Sequence, residues 1–221
     1  LLYAIGEIVL VVLGILIALQ INNWNDERKK RIDEAGLLKD LVLELQTNIK
    51  HSEQIYIMNK ELDEKLSYFI KSTLKDQKVD YDVYEILSLG NYIPPNIRII
   101  SLEVALQGNV INIFKSDSLV SSLRNMSADL QSFAKTTTYL DESWNNRLVP
   151  FFEQSGMSLQ QFALYTDGFE PDPAILDGID QKALANILAY HAGLQTAWTN
   201  KQQEIFFQMK ALLKMARSEL E

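Results

Sequence analysis

The sequence predicts an all-α protein: an N-terminal transmembrane helix followed by an elongated helical-bundle domain with two long antiparallel helices. Three observations predict it. An apolar run opens the chain, from Leu1 to Ile21, interrupted by the strongly polar side chains of Glu7 and Gln20. Two long stretches beyond it carry apolar residues at steps of three and four, the spacing of a helix that buries one stripe. Short segments broken by Pro and Gly lie between them, and such residues end helices. The expected division is residues 1–25 as the membrane helix and 26–221 as the bundle domain. Within that domain a long helix covers about 26–75, short helices and loops about 76–179, and a long return helix about 180–220.

The opening run is justified first. A bilayer core takes about 20 apolar residues as a helix, which satisfies its own backbone groups. Tyr3 and Trp24 stand near the two ends, where amphipathic rings favour the headgroup level. Arg28, Lys29, Lys30 and Arg31 follow as further interface anchors. At about 100° per residue, Glu7, Gly14, Ala18 and Asn25 share one narrow stripe. Gly14 and Ala18 form a small-xxx-small pair, which lets a second helix approach closely. The stripe is therefore the expected packing face of a self-associating helix. Glu7 has two readings: an acid facing the interior of a helix bundle, or one near the interface that reaches its carboxylate into the headgroups.

The first soluble helix carries Leu38, Val42, Leu45, Ile49, Ser52, Ile55, Asn59, Leu62, Leu66 and Phe69 on its stripe. Ser52 and Asn59 are polar, which suits a bundle better than a continuous coiled coil. A polar break over Asp76–Asp82 precedes a short helix, Val83–Leu89, stopped by Gly90. Pro94 and Pro95 force extended backbone over NYIPPN. Gly108 and Asn109 stop the next helix. Ser116 or Asp117 then caps a helix running to about Leu148, with Pro150 and Gly156 beyond it. Ser158–Leu164 reads as another short helix, and TDGFEPDPAILDGID as a loop. The return helix carries Leu184, Ile187, His191, Leu194, Trp198, Ile205, Met209, Leu212 and Ala216. Its length matches the first helix, hence the antiparallel expectation.

Composition excludes several functions. The net charge is −8, from 29 acidic and 21 basic residues, whereas a nucleic-acid binder needs a basic face. There are no cysteines, so disulfides, thiolate zinc sites and cysteine nucleophiles are all excluded. His51 and His191 have no metal-ligand spacing such as HExxH, and there is no P-loop, GxGxxG or GxSxG. Asp167, Glu170, Asp172, Asp177 and Asp180 lack the ligand order of a calcium loop and read as solvated. The expectation is a non-enzyme without catalytic residues, metal or cofactor.

The residues IGEIVLVVLGILIALQINNWNDERK resemble the opening of an uncharacterised family of small single-pass inner-membrane proteins of Bacteroidota. LEVALQGNVINIFKSDSLVSSL resembles that family's second recurring patch. It departs from the patch in having Gln107 before Gly108 and no paired tyrosines after Leu123. The resemblance implies a basic tail ahead of the anchor. Such a tail would outweigh Arg28–Arg31 under the positive-inside rule and place the domain in the periplasm. Asp117-Ser118-Leu119 also resembles the short O-glycosylation motif of that bacterial group, with Ser118 as acceptor.

The functional expectation is a membrane-anchored envelope scaffold or accessory subunit. Its partners would be membrane lipid, further copies of itself and possible other envelope proteins. Two alternatives stand beside it: an oligomeric ion channel or ion-coupled component with Glu7 in the helix bundle, and a periplasmic ligand sensor.

Overall fold

A computed structural model describes the backbone of residues 2–158 and 170–221; the side chains of 1–6, 8 and 9 lie outside the described set. The fold is all-helical, with no strand among the described residues. Helix α1 spans Leu2–Leu74 without a break, α2 Val83–Ser88, α3 Ile100–Ala105, α4 Asp117–Ser143 and α5 Val149–Gln154. The last helix, α6, spans Gln181–Ser218. Most of the helix expected at Ser158–Leu164 lies outside the described residues.

Among the described residues no helix is long and apolar enough to cross a membrane. The described apolar side chains at the start of α1 run from Leu10 to Ile21, about 18 Å of helix rise.

The chain divides into two compact units. The first comprises residues 1–46, 99–124 and 211–221. Its core is Leu38, Leu41, Leu45, Ile99, Leu102, Leu119, Leu123, Leu212 and Ala216. Glutamates of α1 satisfy backbone donors there. Glu44 accepts from the Ser101 N–H at 2.9 Å and its hydroxyl at 2.7 Å, capping α3, which has no cap of its own. Glu34 accepts from the Lys115 N–H at 3.1 Å. At α4 the cap is Ser116, whose hydroxyl accepts from the Leu119 N–H.

The second unit comprises residues 47–98 and 125–210. Within it α1 and α6 run antiparallel. Glu53 pairs with Lys210, Asn59 with Gln202, Asp63 with Thr196, and Asp76, just past α1, with Lys182. Leu66, Phe69, Val83, Ile86, Leu148, Phe152, Leu184 and Leu188 form its core. Trp198 is fully buried, stacked on Phe133 and edge-on to Tyr92, and its Nε1–H donates to Thr137.

Local chemistry explains the short elements. Asp82 and Glu85 form a capping box that starts α2. The helix expected to stop near Leu148 instead widens into a π-helical turn, Trp144–Leu148, and continues as α5 with Pro150 in its first turn. A wider turn relieves the clash of a proline ring with the preceding turn's carbonyl. The loop expected before α6 contains a 3-10 turn, Pro173–Gly178, capped by Asp172.

Buried α1 positions 34, 38, 41, 45, 48, 52, 55, 59, 66 and 69, with half-buried Leu62 between 59 and 66, keep a three–four alternation in which Glu34, Asn48, Ser52 and Asn59 are polar. The asparagines have a specific task. Asn59 donates to the Ile93 carbonyl at 2.8 Å and accepts from the Ile93 N–H at 2.7 Å. Asn48 donates to the Arg98 carbonyl at 2.9 Å and accepts from its N–H at 3.1 Å. Eleven helical residues rise about 16 Å, and five extended residues span about the same distance, so the two clamps are in register.

Two outcomes are expected. Asn59→Leu leaves the Ile93 N–H and C=O unpaired and should cost about 2–4 kcal/mol in urea denaturation, against under about 0.5 kcal/mol for exposed Lys60→Ala. Gly90 has φ +83°, and an added Cβ would meet His191 Cδ2 and Leu148 Cδ1 at 3.1 Å. Gly90→Ala should therefore cost at least about 2 kcal/mol, read by the same titration.

Candidate functional site

The expected packing face lies on α1 as one continuous helical surface. Glu7 and Ala18 are exposed, Asn25 is half-buried, and a Cβ added at Gly14 would meet nothing within 4 Å. The surrounding collar is apolar on every side. Leu10, Val11, Val12, Leu13, Ile15, Leu16, Ile17, Leu19 and Ile21 each keep about half or more of their surface open. Trp24 closes the collar at 65% exposure, and Arg28, Lys29, Lys30 and Arg31 follow, all exposed. Tyr3, expected at the other end, lies outside the described side chains. Ser118 is exposed in the first turn of α4, its hydroxyl 3.0 Å from that of Ser116.

The sequence places His191 on the packing stripe of α6, and the structure buries it; sequence reasoning missed the polar run that continues from it. His191, Gln195, Thr199 and Gln202 recur at steps of four, four and three, and each is buried. The signal was present as polar residues in register with the apolar stripe. His191 bridges the Gly90 carbonyl at 2.8 Å and the Ser143 hydroxyl at 3.1 Å, with Trp144 edge-on to its ring. A carbonyl only accepts, so Nε2 carries the proton and Nδ1 accepts from Ser143. Gln195 donates to the Asn91 carbonyl. Gln181, at the start of α6, grips Val79 by both its N–H and its carbonyl, as the asparagines of α1 grip Ile93 and Arg98.

The His191 and Gln195 side chains reach the carbonyls of Gly90 and Asn91, and Gln202 accepts from Asn59. Among the described residues Ser52 Oγ, Gln195 Oε1, Thr199 Oγ1, Gln202 Nε2 and Gln208 Oε1 are buried without a hydrogen-bond partner. No group of three or more His, Asp or Glu among the described residues is placed to hold a metal. In the acidic loop, Asp172 and Asp180 accept from the first backbone N–H groups of the helical turns that follow them; Asp167 lies outside the described residues.

Charge adds three local features. The Lys201 ammonium, 2.6 Å away and joined by the Gln208 amide, holds Asp129 below the usual carboxylate range. Burial pushes the Tyr92 phenol up, helped by its hydrogen bond to Asp141. Burial also pushes His191 below its usual value, against the Gly90 hydrogen bond that favours the charged ring. The clefts among the described residues include two with distinct linings. One of about 360 Å³ in the second unit is lined by Ile70, Thr73, Leu74, Ala185 and Ala189, with the Asp76–Lys182 pair at its wall. The other, of about 250 Å³ in the first unit, is lined by Lys30, Arg31, Glu34, Phe114 and Lys115 among others.

Residues 7–93 match a family of unknown function (DUF6090). The match covers α1 from Glu7, α2 and the extended segment as far as Ile93, less than half of the chain. It includes the collar, the four cations that follow it and the Asn59–Ile93 clamp. The patch from Leu102 to Leu123 lies beyond it. No curated protein and no solved structure matches the chain.

The histidine gives a pH dependence. Its folded pKa is depressed, so the unfolded chain takes up a proton near pH 6.5 while the folded chain stays neutral. Stability should be fully present above that pH and fall as pH drops below it, by at most about 1.4 kcal/mol per pH unit. Denaturant titrations from pH 7.5 down to about pH 5.5 test this. His191→Asn, weaker overall, should show a flatter profile in that window, and an equal slope in both proteins would overturn the assignment.

Proposed function

We propose that the chain is a non-enzymatic, membrane-anchored scaffold or accessory subunit that self-associates through α1. The observation that carries this is the apolar collar from Leu10 to Ile21. A contiguous all-round apolar surface of this size marks contact with lipid or protein. With residues 1–9 the run reaches the length a bilayer core takes, and Trp24 with the four cations suits its exit into water. On this reading residues 1–25 are a single span in a bacterial inner membrane. The periplasmic side for residues 26–221, and the Bacteroidota source, rest on the resemblance of the opening residues. Glu7, Gly14, Ala18 and Asn25 form the face between copies.

The test has two arms. The chain should float with phosphatidylcholine vesicles and stay with them through alkaline wash, whereas Leu13→Arg/Ile17→Arg should not. In mild detergent the mass should be that of a discrete homo-oligomer, reduced to the monomer by Gly14→Leu. A wild-type monomer would refute self-association. Glu7→Gln separates scaffold from ion path: the scaffold keeps its mass and shows no conductance with or without the change, whereas an ion path conducts and loses conductance with Glu7→Gln.

A further inference from the structure

The cleft beside the start of the first unit has a composition that the anchor alone does not explain. It brings Lys30 and Arg31 of α1 together with Lys115, 84 residues or more further along the chain. Among the described residues none of these three cations is ion-paired. This holds although Glu27 and Glu34 line the same cleft. Glu34 is only 8% exposed, and one of its oxygens is committed to the Lys115 backbone N–H. Phe114, 8% exposed, provides an apolar wall. The cleft thus offers unpaired donors around about 250 Å³, room for a phosphate group and part of a glycerol.

Its position selects the source of that phosphate. Lys30 lies six residues beyond Trp24, about 9 Å along the helix. The headgroup layer outside each face of a bilayer core is about 5–8 Å thick. A lysine or arginine reaching back along its stem therefore places its charge in that layer. Arg28 and Lys29, also exposed, do not line the cleft.

We infer that the cleft formed by Lys30, Arg31, Lys115 and Phe114 binds the phosphate-bearing headgroup of an anionic phospholipid. The inference rests on the membrane reading above and gives it a ligand. The headgroup phosphate lies among the three cations, with the glycerol against Phe114. Bound lipid then ties the loop that carries Lys115 to the base of the anchor.

The test uses the full chain in nanodiscs of phosphatidylcholine, with and without phosphatidylglycerol. Lipid retained per chain is read by native mass spectrometry. Wild type should retain phosphatidylglycerol in preference to phosphatidylcholine. Lys30→Gln/Lys115→Gln should weaken that preference by more than the roughly 25-fold that general charge attraction accounts for, at about 5-fold per cation near a membrane surface. Arg28→Gln/Lys29→Gln removes equal charge outside the cleft and should weaken it by no more than that general amount. Circular dichroism checks that both variants keep their helix content. Equal losses in the two variants would make the effect general charge attraction and overturn the site, as would an undiminished preference in the cleft variant. Thermal stabilisation by millimolar inorganic phosphate equal to that by phosphatidylglycerol would overturn the lipid assignment. A chain that enters phosphatidylcholine bilayers but shows no preference loses only the headgroup site. A chain that does not enter them loses the anchor reading as well.

Discussion

The second unit depends on how it satisfies the backbone of one extended segment, residues 90–98. Extended backbone in a helical protein has no neighbouring strand, and buried N–H and C=O groups left unpaired cost about 1–3 kcal/mol each. Side-chain amides and one imidazole supply the missing partners. Asn48 and Asn59 come from α1, His191 and Gln195 from α6. Pro94 and Pro95 reduce the demand, since neither has an N–H to satisfy. The polar residues in the seam therefore fix register as well as fill space. Shifting α1 by one residue would carry both asparagines off their targets.

The same device appears at three other places where this chain leaves helix. Gln181 holds Val79, Glu44 caps α3 from outside it, and Glu34 reaches Lys115. In each case a long helix lends a polar side chain to a short connection. The long helices are thus both walls and fasteners. That is why their buried stripes include Glu34, Asn48, Ser52, Asn59, Gln195 and Gln202 beside the leucines.

Much of the architecture is legible from periodicity. The stripe from Leu38 to Phe69 falls on buried or half-buried positions of α1, and that from Leu184 to Ala216 does so on α6. The Gly90 stop and the extended NYIPPN segment follow from backbone sterics alone. Partnerships are not legible, because an asparagine at a seam position reads equally as a weak core residue or a clamp. Only the fold brings Ile93 opposite Asn59. The α4–α5 connection misleads for a related reason: Pro150 signals a stop, yet a π turn absorbs it. At the candidate site, the four cations after the apolar collar are visible as a run, whereas Lys115 joins two of them through tertiary structure. The face of Glu7, Gly14, Ala18 and Asn25 follows from helix geometry once the helix is granted.

The clamps also set an order of events during synthesis. The Gly90 carbonyl finds its partner 101 residues later, and the Asn91 carbonyl 104 residues later. At about 5–20 residues per second, roughly 5–20 s pass between the two ends emerging from a ribosome. Until then the segment has half of its fasteners, those on α1, and α1 lacks the helix it packs against within the second unit. Loop closure of this length comes before the contacts that reward it, which slows folding. The nascent chain therefore passes through a period with its apolar seam uncovered, and α6, made after the elements it covers, closes both the seam and the extended segment.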